Sequence, residues 1–530
     1  MVRIIFLLSV CFTIALDLLF IPIFPNVIWF LVVIIPLTLI GLNDMLQTKQ
    51  AIRRNFPIIG NFRYLMEKVR PEINQYFVES NESGKPFTRM ERTAVYQRAK
   101  NVRDTIAFGT QKDVYEVGYE WVNHSLTPRD VDVENLRVMV GGKDCTQPYN
   151  ASVFNIGAMS YGALSRNAII SLNEGAQIGD FAHNTGEGGI SAHHLHGGDL
   201  IWQLGTGYFG CRTQNGEFDA KQFEERAKQD SVKMIELKLS QGAKPGKGGI
   251  LPGVKVNAEV ALARGIEQGK TVVSPAAHST FDTPLELCHF IAKLRKLSGG
   301  KPIGIKICLG KPRELIAICK AMRETDITPD FIVVDGGEGG TGAAPLEFAN
   351  NIGTPLTEAL IFVHNALVGF SLRDRMRVIA SGKVTTGFGM IHRMCTGADI
   401  VYSSRGMMMA LGCIQALRCD SNTCPTGVAT QDPGLTVGLV TAHKRERVAN
   451  YHRNTLYNLG QMIGAMGLDH TQQLRPYHLM RRVDNTHIMT YGEVYNFLED
   501  GELLNKPYPP RFHRAMLGSE AGSFKCMIDE

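Results

Sequence analysis

Apolar and polar positions divide the chain into three stretches of different rhythm. The first is almost unbroken apolar, over residues 4–24 with Asp17 interrupting, and again over 27–42, VIWFLVVIIPLTLIGL. Each run crosses or nearly crosses a hydrocarbon core ~30 Å thick. The turn between them, Ile21-Pro22-Ile23-Phe24-Pro25-Asn26, carries no charge. Arg3 flanks one end, and Lys49, Arg53 and Arg54 flank the other, which directs both ends to the cytoplasm. The pattern predicts a transmembrane helical hairpin over 1–45, in the inner (cytoplasmic) membrane, with the catalytic part cytoplasmic. A signal peptide is the competing reading, but no small-x-small cleavage site stands out and a second apolar run follows at once. Pro36 also admits a re-entrant second segment. Asp17 is costly in lipid and is expected to face the partner helix.

The second stretch, 46–150, is mixed, polar and rich in Arg, and reads as an α+β cap. Residues 63–77, RYLMEKVRPEINQYF, have the spacing of an amphipathic helix. Residues 85–100 read as a solvated charged face. Residues 109–126 read as short strands covering one end of the next domain.

From 151 to 470 apolar runs alternate with helical patterns. The strands drawn from them are 152–160, 180–184, 234–240, 271–275, 302–308, 331–337, 377–382 and 399–404. Amphipathic helices fit between them, for instance 283–298 and 312–324. Strand–helix alternation repeated eight times predicts an α/β fold, a (β/α)8 TIM barrel, over an open sheet. The apolar piece 201–210, IWQLGTGYFG, is then an insertion after the second strand. Residues 471–530 form a C-terminal extension whose last part, 481–530, carries no readable motif.

Composition changes this picture little. Hydrophobic content of 44% and charge of 20% describe an ordinary globular chain. A net charge of +5 with no basic stripe gives no case for nucleic acid. Eleven cysteines, an odd number without a framework, argue for reduced buried thiols rather than disulfides.

The chemical groups follow the expected strand ends, where such a barrel keeps its function. Ser160-Tyr161-Gly162 follows the first strand and Gly186-Glu187-Gly188-Gly189 the second. Gln241, Lys244 and the glycines to Gly249 follow the third, and His278 the fourth. Lys306 lies in the fifth. Asp335 to Gly342, with Gly336, follows the sixth; Ser381-Gly382-Lys383 the seventh; Ser404-Arg405-Gly406 the eighth. The last two loops are where barrels of this kind often bind phosphate. Lys306, on an otherwise apolar strand, is placed to stabilise an anionic reduced flavin ring, or else snorkels from the barrel end. Lys238, Gln241 and Lys244 suit a dicarboxylate such as a 2-oxo acid. Glu187 orients an amine, carries a proton, or caps a turn. His278 reads equally well as a satisfied core histidine.

Residues 399–431 bring the densest chemistry. A strand to Ser403 breaks at Ser404-Arg405-Gly406, runs on as an apolar helix, and delivers Cys413, Cys419 and Cys424. Three thiols within twelve residues suit a cluster, since thiolate is the soft ligand of iron–sulfur chemistry. Buried free cysteine is the plainer reading, and the spacing is not a standard zinc pattern.

The run LGCIQALRCDSNTCPTGVATQ resembles the cluster segment of the glutamate synthase large-subunit synthase domain. So do MSYGALS at 159–165, GEGG at 186–189, QGAKPG at 241–246 and DGGEGGTGAAP at 335–345. The resemblance covers most of 85–480. It implies a barrel that binds FMN and 2-oxoglutarate and reduces 2-iminoglutarate, formed with ammonia, to glutamate. It places a [3Fe-4S] cluster on Cys413, Cys419 and Cys424, within a segment 403–431. It places Ser160, Lys238, Gln241, Lys306, Gly336, Gly382, Ser404 and Arg405 around the cofactor. Lys244, Arg264 and Glu187 fall at the substrate, with Glu187, Lys306 and Lys244 as catalytic candidates.

Two departures stand out. The family loop K-P-G-E-G-G-Q-L-P-G has Lys247 in place of its acid and Ile250 in place of its glutamine here. The glutaminase domain, which needs an N-terminal cysteine, is expected to be absent, since residue 2 is Val. Ammonia is then free or supplied by a separate glutaminase. Electrons are expected from a separate donor, ferredoxin or a membrane carrier. The alternatives are an N-methylglutamate synthase-like transferase and a membrane flavin/iron–sulfur redox module without amino-acid chemistry.

Overall fold

The structure, a computed structural model, describes residues 2–102 and 105–528. It divides into two compact units, Met1–Arg89 and Met90–Glu530.

The first unit opens with two apolar helices, α1 (Val2–Phe20) and α2 (Leu31–Leu46). A 3-10 turn, Pro25–Phe30, precedes α2 and lengthens the second apolar span to 22 residues, so Pro36 does not shorten it. At 1.5 Å per residue the spans measure about 28 and 33 Å, enough to cross a bilayer core. Almost none of either span is buried. Asp17 is the exception in α1: it is buried while Leu16 and Leu18 beside it are exposed. That side of the helix faces inward, as a carboxyl group in an apolar span requires. Two short helices follow, α3 (Ala51–Asn55) and α4 (Ile59–Ile73), the second continuing into a wider turn over Asn74–Val78. Asp44, fully buried, joins them to the end of α2. It accepts from Arg53 Nε at 2.8 Å, from the backbone N–H of Ile58 at 3.0 Å, and from Asn61 Nδ2.

The second unit is built on a closed barrel of eight parallel strands. They are β1 (Phe154–Ile156), β2 (His183–Asn184), β3 (Leu200–Leu204), β4 (Val232–Lys238), β5 (Ile303–Ile307), β6 (Phe331–Asp335), β7 (Arg377–Ser381) and β8 (Ile400–Ser403). β8 closes on β1 with Val401 opposite Phe154. Strands covered on both faces read as continuous apolar runs, and Phe331–Val334 and Ile400–Val401 are wholly buried. Helices pack outside, among them α5 (Arg166–Gly179), α6 (Pro284–Leu297), α7 (Pro312–Thr325) and α8 (Leu356–Gly369). α6 starts where Thr283 and Glu286 form a reciprocal cap with Pro284 at the first helical position.

The barrel has eight strands, but one of the predicted eight is replaced by another. The third barrel strand is Leu200–Leu204, from the stretch read as an insertion. The predicted strand 271–275 supplies only Val272–Val273, which pairs antiparallel with Ile250–Leu251 outside the barrel. The reason is burial. All five residues of β3 are buried, whereas Val273 is 61% exposed. The loop after β4 therefore runs from 239 to 283 and carries Gln241, Lys244, Arg264 and His278 together.

The hairpin Arg137–Val140/Tyr149–Ser152 underlies the N-terminal end of the barrel. The backbone N–H of Gly142 donates to Asp330 at 2.7 Å, and Arg377 Nε donates to the carbonyl of Met139 at 3.1 Å. Within 109–126, one strand forms, Glu120–Val122, paired with Leu479–Arg482 of the C-terminal extension. That extension also lays Pro510–Leu517 along α7, where Lys320 Nζ donates to the carbonyls of Met516 and Ser519 at 2.8 and 2.6 Å.

Candidate active site at the barrel mouth

Strand alternation sets the site. In β4 the side chains of Glu236 and Lys238 point the same way, into the barrel, at i and i+2. Lys306 of β5 lies opposite Lys238 in register. Asp335 ends β6. Four ionisable groups thus share a buried interior.

Glu187 lies on the loop after β2, where Gly186 takes φ +63° and turns the chain inward. Its Oε2 is 2.7 Å from Lys238 Nζ. Lys238 also donates to Gln241 Oε1 at 3.2 Å. Burial acts to raise the Glu187 pKa, but Lys238, Lys244 and Arg264 outweigh it and hold the carboxylate ionised. Lys244 is drawn down to about 8 by burial, against the pull of Glu187. It donates to the carbonyl of Ala343 at 3.1 Å, joining the loop after β4 to the loop after β6. Arg264 donates to Ser160 Oγ and the carbonyl of Tyr161, both at 3.1 Å, and stacks over Phe209. Burial lowers its pKa to about 10.

Lys306 Nζ stands 3.5 Å from Asp335 Oδ2. Burial disfavours its charge, yet Asp335, Glu236 and Glu187 together keep its pKa above the ordinary lysine value. Asp335 accepts the backbone N–H of Gly242 at 2.8 Å. Glu236 accepts from Asn184 at 3.0 Å and from Gln203. Burial raises its pKa, with Lys306 opposing. Asn184, Gln203 and Glu236 were not singled out from the sequence. The alternation E-L-K in an apolar strand was the available signal, since two polar residues at period two share one face.

A second convergence forms beside it, at the ends of β6, β7 and β8. Gly336 donates its backbone N–H to the carbonyl of Ser381 at 2.9 Å. Gly382, at φ +150°, faces Gly336 and Leu356. Arg405 donates to the carbonyl of Glu338 at 2.9 Å, and its stem packs on Gly340. Ser404 lies against Gly157 at the end of β1. Gly336, Gly382 and Arg405 therefore come together, with Ser404 at the edge nearest β1.

His278 is satisfied at both nitrogens. Nε2 lies 2.9 Å from the carbonyl of Lys238, so it donates there, and Nδ1 then accepts from the Tyr208 hydroxyl at 2.9 Å. Burial lowers its pKa to about 4. This is the core histidine of the two readings.

The cysteine segment leaves β8 through a short helix, Arg405–Leu411, which ends at Gly412 in the left-handed region. Gln415, Leu417 and Asn422 also take positive φ, so the loop bends back on itself repeatedly. It is pinned to the loop after β1: Gln431 Nε2 donates to the carbonyls of Gly162 and Leu164 at 3.2 and 2.8 Å. Lys255 Nζ, buried, donates to the carbonyls of Ala163 and Cys419, both at 2.8 Å. Burial pushes Cys413 up to about 12, with Cys419 and Cys424 adding to the rise. Cys424 behaves differently: burial raises it, but the Thr426 hydroxyl and the backbone N–H groups of Ala429, Thr426 and Val428 bring it below the ordinary thiol value.

Comparison with known proteins decides the family. Residues 97–469 match the conserved region in glutamate synthase. The chain belongs to the glutamate synthase family. Glutamate synthase large subunit-like protein YerD of Bacillus subtilis (strain 168) is 36% identical over 508 residues, covering 87% of this chain and 96% of that protein. Archaeal glutamate synthase [NADPH] of Methanocaldococcus jannaschii is 34% identical over 322 residues, covering 60% of each chain. Among solved structures, a double mutant of flavocytochrome b2 with pyruvate bound overlaps with a TM-score of 0.42 at 14% identity. It covers 85% of this chain and 91% of that one, a likeness too loose to bear on the site.

Within a glutamate synthase-family barrel, the donor set can be asked whether it fits an iron–sulfur centre. Among the described residues no three His, Cys, Asp or Glu side chains gather as a site for a single metal ion. An iron–sulfur cluster would be held through cysteine thiolates, with hydrogen bonds to the sulfurs tuning it. Cys413, Cys419 and Cys424 lie on one loop held against the loop after β1, and N–H groups are directed at Cys424; thiols are the soft donors such a centre takes.

Proposed function

We propose that the chain is a membrane-anchored oxidoreductase of the glutamate synthase type, using FMN and a [3Fe-4S] cluster to reduce 2-iminoglutarate to glutamate. Ser160, Lys238, Gln241, Lys306, Gly336, Gly382, Ser404 and Arg405 would hold FMN, and Cys413, Cys419 and Cys424 the cluster. When bound, FMN supplies a hydride to the imine carbon and the cluster supplies single electrons. The remaining roles belong to side chains. Lys244 and Arg264 pair with the two carboxylates of the oxo acid. Glu187, kept ionised, accepts hydrogen bonds from the nitrogen of the incoming ammonia and orients it. Lys306 is a cation held in place before reaction, so it stabilises developing negative charge without reorganising.

The observation that carries this reading is one carboxylate, Glu187, under the influence of three cations at a barrel mouth. Electrons would come from a separate donor, ferredoxin or a membrane carrier, and ammonia from solution or a separate glutaminase. The apolar hairpin would anchor the chain in the cytoplasmic membrane with the barrel on the cytoplasmic side. The anchor then spans 1–45, the cap 46–150, the barrel 151–470 and the extension 471–530.

The test is reoxidation. Protein reduced anaerobically should lose its reducing equivalents on addition of 2-oxoglutarate with ammonium, and one glutamate should form per two electrons lost. Reduction that persists with both substrates present would leave the redox module without amino-acid chemistry as the surviving reading. Lys247, which stands where the family has an acid, lies over the ring of Phe348 at 5.4 Å. Methylamine in place of ammonium separates the N-methylglutamate synthase-like reading, through N-methylglutamate as product.

A further inference from the structure

We propose that α4 is an interfacial helix whose apolar face lies in the headgroup–acyl boundary of the bilayer that the α1–α2 hairpin enters. This rests on the membrane reading above and adds a second point of attachment to it.

The face is read from exposure. Ile59, Phe62, Leu65, Met66 and Ile73 are all exposed, Phe62 at 62% and Ile59 at 73%. At about 100° per residue these five fall within an arc of roughly 120°. Phe77, on the wider turn that continues α4, is 86% exposed. The other side of α4 is the one that packs within the unit: a Cβ at Gly60 would run into the backbone of Ile52 and Arg53 of α3. So the helix turns its small residue toward its neighbour and its large apolar residues outward. A soluble surface does the reverse.

Charge and position name the occupant. Arg63 and Arg70 stand at one margin of the apolar arc, next to Met66 and Ile59, and Lys68 lies on the polar side. Basic residues bordering a bulky apolar stripe are the pattern of a helix lying in an anionic membrane surface, where long stems reach up to the headgroups. The start of α4 is also fixed in depth. Only residues 47–58 separate α2 from α4. Asp44, near the end of α2, binds Arg53, the backbone of Ile58 and Asn61 at once. A helix tied this closely to the end of a spanning segment begins where the bilayer ends. Its apolar face therefore has lipid within reach without any partner protein.

The test uses the full chain in vesicles of phosphatidylethanolamine and phosphatidylglycerol. The photo-crosslinker p-benzoylphenylalanine replaces one residue at a time: Phe62 or Leu65 on the apolar face, Glu67 or Lys68 on the polar side, and Leu8 within α1. Lipid adducts are measured by mass spectrometry after illumination. Phe62 and Leu65 should give at least about tenfold more lipid adduct than Glu67 and Lys68, as for a helix half-sunk in the interface. Lipid capture at Leu8 with equal yields around α4 would overturn the proposal and leave the hairpin standing. So would capture at Leu8 with protein adducts from Phe62, which would assign the face to a second copy or another protein. No lipid adduct even at Leu8 would overturn the membrane reading and this proposal together.

Discussion

Replacing Lys238 by Met keeps most of the stem and removes the charge that Glu187 faces. The two groups are 2.7 Å apart, and their side chains are only 7% and 16% exposed. At an effective dielectric constant near 20, that separation corresponds to about 6 kcal/mol of gross attraction. Desolvation cancels part of it, and truncating one partner of a buried pair costs roughly 3–5 kcal/mol. Lys244 and Arg264 still act on Glu187, so the lower end, about 3 kcal/mol, is the expected loss for Lys238→Met. In a unit of this size that lowers the unfolding midpoint by roughly 3 °C. The pH dependence has a definite sign. Glu187 has a depressed pKa in the folded protein, so its stabilising pair is present above the ordinary carboxyl pKa and is lost as pH falls through the folded value. In Lys238→Met the carboxyl protonates sooner and escapes its penalty. The gap between the two proteins should therefore narrow from neutral pH to about pH 5. The assay is thermal unfolding of the full chain by near-ultraviolet circular dichroism at both pH values, with Lys238→Met/Glu187→Gln as the paired control. The double variant should recover most of the loss, because it buries no unpaired charge. A single-variant loss below about 1 kcal/mol, the same gap at both pH values, or no recovery in the double variant would refute the reasoning.

Other outcomes follow from the same geometry. Lys244 has its pKa lowered to about 8, so its positive charge is lost as pH rises through that value; the KM for 2-oxoglutarate should climb above about pH 8, and Lys244→Arg should flatten the rise. Lys255→Met removes both donations from a buried ammonium, leaving the carbonyls of Ala163 and Cys419 short of a partner at roughly 1–3 kcal/mol each; limited proteolysis should cut 412–424 sooner. Gly242→Ala would drive a methyl group into the carbonyl of Gly336, so the loops after β4 and β6 should part and flavin content after purification should fall. Asp44→Ala should expose residues 47–58 to protease by releasing Arg53, Ile58 and Asn61 together, while near-ultraviolet dichroism of the barrel stays unchanged.

The barrel was legible because strands buried on both faces leave apolar runs of strand length, and the helices between them carry a different period. The same rule failed at Leu200–Leu204. Its Gln203 and the glycines after it broke the pattern, and burial by surrounding helices cannot be read from a local window. Val272–Val273 erred the other way, since β-branched residues signal a strand but not which sheet it joins. Among site residues, those in glycine loops were visible as departures from apolar sequence. Glu236 was passed over although it alternates with Lys238, because an acid inside a strand reads as a surface position until its partners, Asn184 and Gln203, are known. His278 could not be resolved from sequence, as its partners come from Lys238 and from Tyr208, 40 and 70 residues away. The cysteines were conspicuous by spacing. What holds their loop in place, Lys255 and Gln431, depends on contacts with the loop after β1 that no local pattern reveals.

The visible and EPR spectra of the anaerobically purified full chain bear most directly on the central claim, that flavin and cluster sit together in this barrel. A flavin absorbance with a three-iron signal, the latter lost in Cys419→Ser, is the expected result. A colourless, EPR-silent protein that folds normally would contradict it.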